Sequence, residues 1–542
     1  MTIETFDHIV VGAGSAGCVL ANRLSEDGAK RVLLLEAGGR GGQLVTRVPM
    51  AAGLAYFWKS INWGYETVPQ RGLNGRSLAW PRGKLLGGSS AINGMMYMRG
   101  NARDYDTWRQ DGLAGWGYED VLPYFKRSEG HAERPESAFH ATDGPLKVVR
   151  AKGEHPLYRD FLQSGYANGH EPNDDFNGAR QEGLGLYDFN LRDGRRESSA
   201  TAFLAPAAGR PNLAVWTRAQ ATRVNVEEGR AVSLDVLRDG APVRVEARGE
   251  IVLAGGAINS PALLQASGIG PGAALREAGV EVVHELPGVG ENLHDHLGVY
   301  LTYAAREPNT LYALMRPDRA LLAGLRTLLL GTGPGSSIPL EAGGFLRTRE
   351  ELEIPDIHIT FVPGLNLETT RKGQGRHGYL INFYQLRPES RGTIRIQSPD
   401  PTAAPRIDPN YLATENDRRC MRDGVRLARR IGETQPLAAN NAGEISPTRD
   451  VTSDDAIDAW VANGANTIFH PVGSCRMGMD DGAVVDAELR VRGIRGLRVA
   501  DASIMPRIVG GNTSAPAMMI AEKAADMVLG RPPLPRAELP AA

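Results

Sequence analysis

Three cysteines in 542 residues, Cys18, Cys420 and Cys475, are too few and too scattered to staple a fold. A disulfide framework is excluded, and so is a Cys-x-x-Cys zinc or dithiol-redox pair, so a reducing compartment is expected. Charge of one sign is missing as well: 61 Lys and Arg stand against 63 Asp and Glu, a formal net charge of −2. That balance offers no general attraction for nucleic acid or an anionic surface. No apolar run is long enough to span a bilayer. The longest candidate, 320–330, is short, is interrupted by Arg326 and reads as an ordinary packed helix, with an amphipathic surface or gating helix as the alternative. The start MTIETFDH is acidic and runs directly into apolar 9–11, which is not the pattern of a signal peptide. A cytoplasmic protein is expected, or one peripheral to the inner membrane. There is no internal repeat, and the proline-rich end 531–542 reads as a flexible tail, disordered or draped over the surface.

What the chain does have is glycine, in a particular place. The run FDHIVVGAGSAGCVLANRLSEDGAKRVLLLEAGG (6–39) reads as a buried strand, a turn with Gly12, Gly14 and Gly17, a helix, and a second strand, 32–35. Glycines at this spacing permit a tight turn, close approach of backbone to a pyrophosphate, and close helix–strand packing. The helix start then offers free N–H groups to the phosphates. Glu36 ends the second strand 19 residues past Gly17, where a carboxylate accepts from adenosine ribose hydroxyls. An acid there disfavours a phosphorylated ribose, hence NADP. Cys18 falls where the helix packs beneath the turn and reads as a small buried residue.

Texture changes along the chain. Strand-like 250–253 leads through AGGAINSP into a helix at 262–265. Segments 342–347, 357–362, 379–386 and 392–397 alternate with period two between turn residues and read as an antiparallel sheet, followed by a helix over 417–431. The α/β texture returns with strand 497–500, ending on Asp501, and helix 513–529.

Five blocks resemble the glucose–methanol–choline (GMC) oxidoreductase family of FAD flavoproteins, in the family's order. They are PRGKLLGGSSAINGMMYMRG (81–100), GGAINSPALLQASGIGP (255–271), PGVGENLHDH (287–296), FHPVGSCRMG (469–478) and VADASIMPRIVGGNTSAPAMM (499–519). The resemblance implies an α/β FAD-binding Rossmann-like domain built from separated segments, 1–155, 207–300 and 456–531. An inserted α+β substrate domain with an antiparallel sheet would take 156–206 and 301–455, with 532–542 as the tail. It implies FAD contacts at Gly12, Gly14, Ser15, Ala16 and Gly17, at Glu36 and Ala37, and at Val224 and Ala254 near the adenine. Gly88, Ser89, Asn93, Gly94 and Met95 would follow the pyrophosphate and isoalloxazine. Asp501 and Ala502 would meet the ribityl–pyrophosphate part, and Asn512 and Thr513 would lie at the flavin end. The helix starting near Thr513 would direct its positive end at the flavin pyrimidine ring, steadying charge on the reduced ring.

In the family the histidine of the H-P-V-G-x-C-x-M-G block is the general base; here it is His470, with Asn512 as its companion. An imidazole suits removal of an alcohol proton, whereas Asn512 can hold the oxygen but not take the proton. Some relatives tether FAD through a histidine where Ile92 stands, so FAD is expected to be non-covalent. The texture is similar to choline dehydrogenases and bacterial alcohol dehydrogenases of the family. Choline-oxidising relatives carry a glutamate where Gly298 stands, and only 6% of residues are aromatic, leaving little to solvate a buried cation. The expectation is therefore oxidation of a neutral primary alcohol, in a pocket formed with Phe469, Leu340 and Gly298. Choline dehydrogenation is the alternative, as are non-redox relatives of the hydroxynitrile lyase or photodecarboxylase type, which would not bleach the flavin in the dark. A dehydrogenase is expected rather than an oxidase, with quinone, another carrier or oxygen open as acceptor, and a monomer or homodimer. His294 and His296 lack a third ligand with metal spacing, so no metal is expected and both read as structural, at the domain junction.

Overall fold

The computed structural model describes residues 4–365 and 377–540; the first three residues and the last two of the tail lie outside the described residues. The opening strand is Glu4–Val11. It pairs in parallel with Val32–Leu35 on one side and with the end of Ala241–Leu253 on the other. Leu213–Trp216 extends the sheet beyond Val32–Leu35, and Leu497–Val499 joins Ala241–Leu253, both in parallel. Two antiparallel strands, Arg230–Arg238 and Ala219–Glu227, complete this seven-stranded sheet. Ile9, Val10 and the whole of Val32–Leu35 are buried, as strands covered on both faces must be. The covering layer on one side pairs the first helix, Ser15–Leu24, with the last, Ser514–Val528. Arg23 of the former meets buried Glu522 of the latter at 2.9 Å.

A second seven-stranded sheet runs Asn441–Ser446, Leu297–Ala305, Gly378–Gln385, Ile357–Val362, Ala342–Leu346, Gly183–Leu186, with Asn466–Thr467 paired to Leu297–Ala305; every pairing is antiparallel. Helix Glu415–Gly432 covers it, burying Met421, Val425, Ala428 and Ile431 at helical spacing. Three of the four expected strands fall in this sheet. The fourth, around 392–397, leaves it: Thr393–Arg395 pairs with Arg406–Asp408 in a separate ribbon. The sheet also claims Leu297–Ala305 and Asn466–Thr467 whole, so the boundaries expected at 300 and 456 fall inside the second domain.

Two expectations need correction. Helix Pro317–Leu330 buries only a narrow strip including Ala323 and Thr327, and Leu321, Leu322, Leu325, Leu329 and Leu330 face outward; the absence of a spanning segment does not make it a packed helix. The proline-rich tail is draped over the surface and docked there, rather than disordered. Leu534 N–H donates to the Tyr124 hydroxyl at 3.1 Å, Ala537 N–H donates to Glu119 O at 2.9 Å, and Leu534, Ala537 and Leu539 pack on the first domain's core.

The first turn is as tight as its glycines require. A Cβ on Gly17 would stand 1.7 Å from Gly12 O, whereas one on Gly14 meets nothing within 4 Å. Forced overpacking of this kind costs about 1–3 kcal/mol or more. Gly17→Ala is therefore expected to lower the apoprotein Tm by at least about 2 °C and Gly14→Ala to leave it unchanged, by thermal unfolding of the two variants side by side.

Candidate functional site

An elongated cavity of about 590 Å³ runs between the two domains, with Glu36 at one end and His470 at the other. The Glu36 end is closed by residues 219–222 and 400–405. Its middle is walled by the first turn and by the loop Gly88–Met95. Glu36 is held by two backbone donors, Gly38 N–H at 2.8 Å on Oε1 and Ala13 N–H at 3.0 Å on Oε2. Burial nevertheless pushes its carboxyl up to about 7, the two N–H groups opposing the shift.

Most of the expected contacts line this cavity: Gly12, Gly14, Ser15, Ala16, Glu36 and Ala37 at the nucleotide motif, and Gly88, Ser89, Asn93, Gly94 and Met95 along the loop. Ala254, Asp501, Ala502, Asn512, Thr513, Leu340, Phe469 and His470 line it too. Three do not. Gly17 lies behind the turn, against Gly12 O, and acts through packing. Val224 is turned into the core, its N–H donating to Ser267 Oγ at 2.8 Å, and Ala221 and Thr222 form the wall instead. Gly298 is enclosed by Phe383, Ile468 and Tyr384, all within 3.0 Å of where a Cβ would sit. Asp501 reaches the wall, but its carboxylate is already engaged. Oδ2 accepts from Gly256 N–H at 2.8 Å and Ser260 Oγ–H at 2.6 Å, and Oδ1 accepts from Ser503 N–H at 2.8 Å. Its first task is to tie the second signature segment to the late strand.

Asn93 illustrates how the loop is held. Its Oδ1 accepts from Met95 N–H at 3.0 Å and from Arg196 Nη1 at 2.8 Å, fixing Met95 in a left-handed conformation (φ 60°). Arg196 is buried, and burial lowers its guanidinium to about 10.

At the far end the hydrogen-bond partners determine where the protons sit. His296 Nε2 lies 3.0 Å from Leu386 O, which only accepts, so Nε2 carries the hydrogen. Burial depresses the His296 pKa to about 3, so the ring is neutral and its Nδ1 presents a lone pair. His470 Nδ1, 3.0 Å away, must then donate. Burial also drives the His470 imidazole well below its ordinary value, assisted by His296, Arg82 and His358. Its Nε2 is left without a hydrogen, 3.2 Å from Asn512 Nδ2, which donates to it. This is a neutral acceptor, fixed in one tautomer and placed on the cavity wall. Asp295 holds its backbone: Oδ1 accepts from His470 N–H at 2.6 Å, and Oδ2 takes the hydroxyls of Thr467 and Tyr411, each at 2.5 Å.

A second imidazole braces the same end. Tyr187 OH donates to Ile359 O at 2.6 Å and so accepts from His358 Nε2 at 2.7 Å; His358 Nδ1 accepts from the Tyr384 hydroxyl. Tyr384 leans on both His296 and His470, with ring centroids 5.1 and 5.9 Å apart. Phe469 adopts φ 67° and packs on Tyr56 at 5.1 Å. Sequence reasoning missed His296, Asp295, His358, Tyr384 and Tyr56. The block NLHDH held the signal, since a buried His-Asp-His with no metal needs other partners. Among the described residues no cluster of His, Cys, Asp and Glu has the makings of a metal site. All three cysteines are buried and free, and burial pushes Cys18 up to about 12.

The fold and this cavity define a flavin-dependent oxidoreductase. The chain belongs to the GMC oxidoreductase family: the family's N-terminal model matches residues 6–298 and its C-terminal model 388–521. It is 46% identical to the oxygen-dependent choline dehydrogenase of Chromohalobacter salexigens over 98% of this chain and 96% of that one. It is 43% identical to human mitochondrial choline dehydrogenase over 98% and 91%. Among solved structures, pyridoxine 4-oxidase from Mesorbium loti superposes with a TM-score of 0.88 at 34% identity, covering 97% and 99% of the two chains. The protein is thus an FAD-dependent GMC alcohol oxidoreductase. Its residues fit FAD: the glycine turn leaves room at Gly14, and the buried Asn512 Oδ1 and Ser514 Oγ, at the start of the last helix, have no protein partner.

If His296 fixes the His470 tautomer, its loss should act on rate rather than on cofactor binding. His296→Leu is expected to slow anaerobic flavin reduction by about 10²-fold or more with flavin content unchanged, and His296→Gln, which restores an acceptor, to recover part of it. Stopped-flow absorbance reads both.

His294 is buried with neither nitrogen partnered, and its pKa lies well below the ordinary value because of burial. The unfolded chain protonates this ring near pH 6.5 and the folded chain does not, so stability drops as the pH falls through 6.5, by up to about 1.4 kcal/mol per pH unit. His294→Leu is expected to flatten the loss of Tm between pH 6.5 and 5.

Proposed function

We propose that this chain dehydrogenates choline or a closely similar quaternary-ammonium primary alcohol to the aldehyde. His470 Nε2 takes the hydroxyl proton, and the Asn512 side chain holds the alcohol oxygen. FAD, when bound, would accept the hydride lost from the carbon that bears this oxygen, as the C=O bond forms. The fixed neutral imidazole carries the base assignment, because a lone pair on the cavity side is what proton removal requires. Arg82, which donates through Nη2 to Phe469 O at 2.9 Å, and Asp295 position the histidine's segment.

The likeness to choline dehydrogenases along nearly the whole chain supports the substrate class. So does the cavity wall beside His470, where Tyr56, Tyr300, Tyr384 and Phe469 supply aromatic faces that can replace the water around a cation. The low aromatic content of the chain hides this concentration. The argument from Gly298 for a neutral alcohol loses its footing, since that position is off the wall. One observation favours the neutral reading: among the described residues the cavity's carboxylates, Glu36, Asp400 and Asp501, belong to the nucleotide-binding segments rather than to the aromatic end. A cation there rests on aromatic faces alone.

Ile92, on the wall where some relatives carry a tethering histidine, supports non-covalent FAD. Acid precipitation is expected to leave the flavin in the supernatant. The substrate experiment compares choline with its uncharged isostere 3,3-dimethylbutan-1-ol under anaerobic conditions with one artificial acceptor. We expect kcat/KM to favour choline by at least about tenfold, equivalent to about 1.4 kcal/mol. A preference for the isostere would move the assignment to neutral alcohols, and flavin reduction persisting in His470→Ala would remove the base.

A further inference from the structure

Asp104 makes more hydrogen bonds than its place in the sequence accounts for. It is the third residue of helix Ala102–Gln110, where an acid closes a capping box on Asn101. The box uses one bond, Asn101 N–H to Oδ2 at 2.9 Å. The same oxygen also accepts from Gly510 N–H at 2.6 Å, 406 positions along the chain. Oδ1 accepts from Arg387 Nη2 at 2.9 Å. The Asp104 side chain is only 6% exposed, so water competes little for these donors. A carboxylate so placed holds its partners in fixed directions.

Both distant partners lead to the His470 end of the cavity. Gly510 lies two residues before Asn512, whose Nδ2 meets His470 Nε2. Its carbonyl is held as well: Gly510 O accepts from Gln181 Nε2 at 2.7 Å, and Gln181 Oε1 accepts from Asn101 Nδ2 at 3.0 Å. The start of helix Ala102–Gln110 thus grips Gly510 at both its N–H and its C=O. The Arg387 guanidinium lies against the same glycine, where a Cβ would stand 2.6 Å from Nη2. Arg387 directly follows Leu386, whose carbonyl accepts the His296 hydrogen and so sets the His470 tautomer. Leu386 N–H donates to Asp356 O at 2.8 Å, and Arg387 Nη1 donates to Pro355 O, so the peptide bearing that carbonyl is pinned on both sides. Burial dominates the low pKa of His296; the Leu386 carbonyl opposes it and the Arg387 charge adds to it. Leu386 and Arg387 lie just past strand Gly378–Gln385 of the second domain, whereas Tyr105 and Trp108 of the helix belong to the first domain's core. One carboxylate therefore ties the two domains together where the reacting groups meet.

We propose that Asp104 is a positioning residue for the oxidation. Its Oδ2 sets the segment that carries Asn512, and its Oδ1 sets the strand end whose carbonyl orients His296 and, through it, His470. This role rests on the reading of His470 as base and Asn512 as holder of the alcohol oxygen. Misplacement of such groups by about 1 Å costs about 10²-fold in rate.

The test is anaerobic flavin reduction of the holoenzyme by stopped flow, with choline or 3,3-dimethylbutan-1-ol, whichever reduces the parent faster. Asp104→Ala removes both arms and is expected to lower the limiting rate by about 10²-fold, and Arg387→Met, which removes one, by about tenfold. Flavin content should match the parent, and the half-saturating alcohol concentration should move by less than about threefold. In an Asn512→Ala/His296→Leu background, Asp104→Ala should cost less than about threefold more, because the groups it positions are gone. The proposal is overturned if Asp104→Ala lowers the Tm but keeps the parent's rate, if its loss falls on the half-saturating concentration, or if it costs as much in that background as in the parent. Should Asp104→Ala not fold, Arg387→Met decides by the same readings. His470→Ala, measured alongside, separates the two levels. If it keeps the parent's rate, the base assignment falls and this proposal with it; a slow His470→Ala beside a normal Asp104→Ala overturns this proposal alone.

Discussion

Backbone meets backbone without room for a methyl group where the first turn, the long glycine loop and the second signature segment converge. Gly17 abuts Gly12 O, a Cβ on Gly12 would lie 2.7 Å from Ala254 O, and one on Gly88 would lie 2.7 Å from Gly14 Cα. These contacts join three segments far apart in sequence into one floor. The cavity above that floor has a wall of main chain and small side chains between Glu36 and His470. Bulk is excluded here so that aromatic residues and histidines can be concentrated at the other end.

At that other end the ordering element is a commitment of hydrogens. Leu386 O accepts the hydrogen of His296, His296 accepts that of His470, and His470 Nε2 is left without a hydrogen, accepting from Asn512 Nδ2. Burial contributes by holding His296, His358 and His470 uncharged, so the chain of donors keeps one direction. His470 comes from one block and His296, which fixes its tautomer, from another, 174 positions away.

What could be read from sequence follows from how local each signal is. Val32–Leu35 emerged with its expected bounds, and the last helix within a residue of its own at each end, since apolar runs and caps lie within a few residues of each other. Most of the cavity wall was legible for the same reason: its residues sit in contiguous glycine-rich blocks. Gly298 and Val224 were misplaced because the face of a strand that meets a cavity depends on register with its neighbours, which neighbouring residues do not encode. The role of His296 was invisible because its partners, Leu386 O and His470, are brought together only by the packing of two domains. The outward leucines of Pro317–Leu330 looked like core because hydrophobic periodicity identifies an apolar face without saying what covers it.

The first helix, Ser15–Leu24, packs against Ser514–Val528, and the sheet beside it receives Leu497–Val499. In order of synthesis these partners are almost at opposite ends. At ribosomal speeds of about 5–20 residues per second, the first helix waits roughly half a minute to a minute and a half for its cover. Throughout that interval the nucleotide turn exists, but the late segment carrying Asp501, His470 and Asn512 does not. Flavin therefore cannot be enclosed until that late segment has been made. A nascent chain stalled before residue 497 is left with an apolar sheet lacking its late strand and helix, for a chaperone to hold.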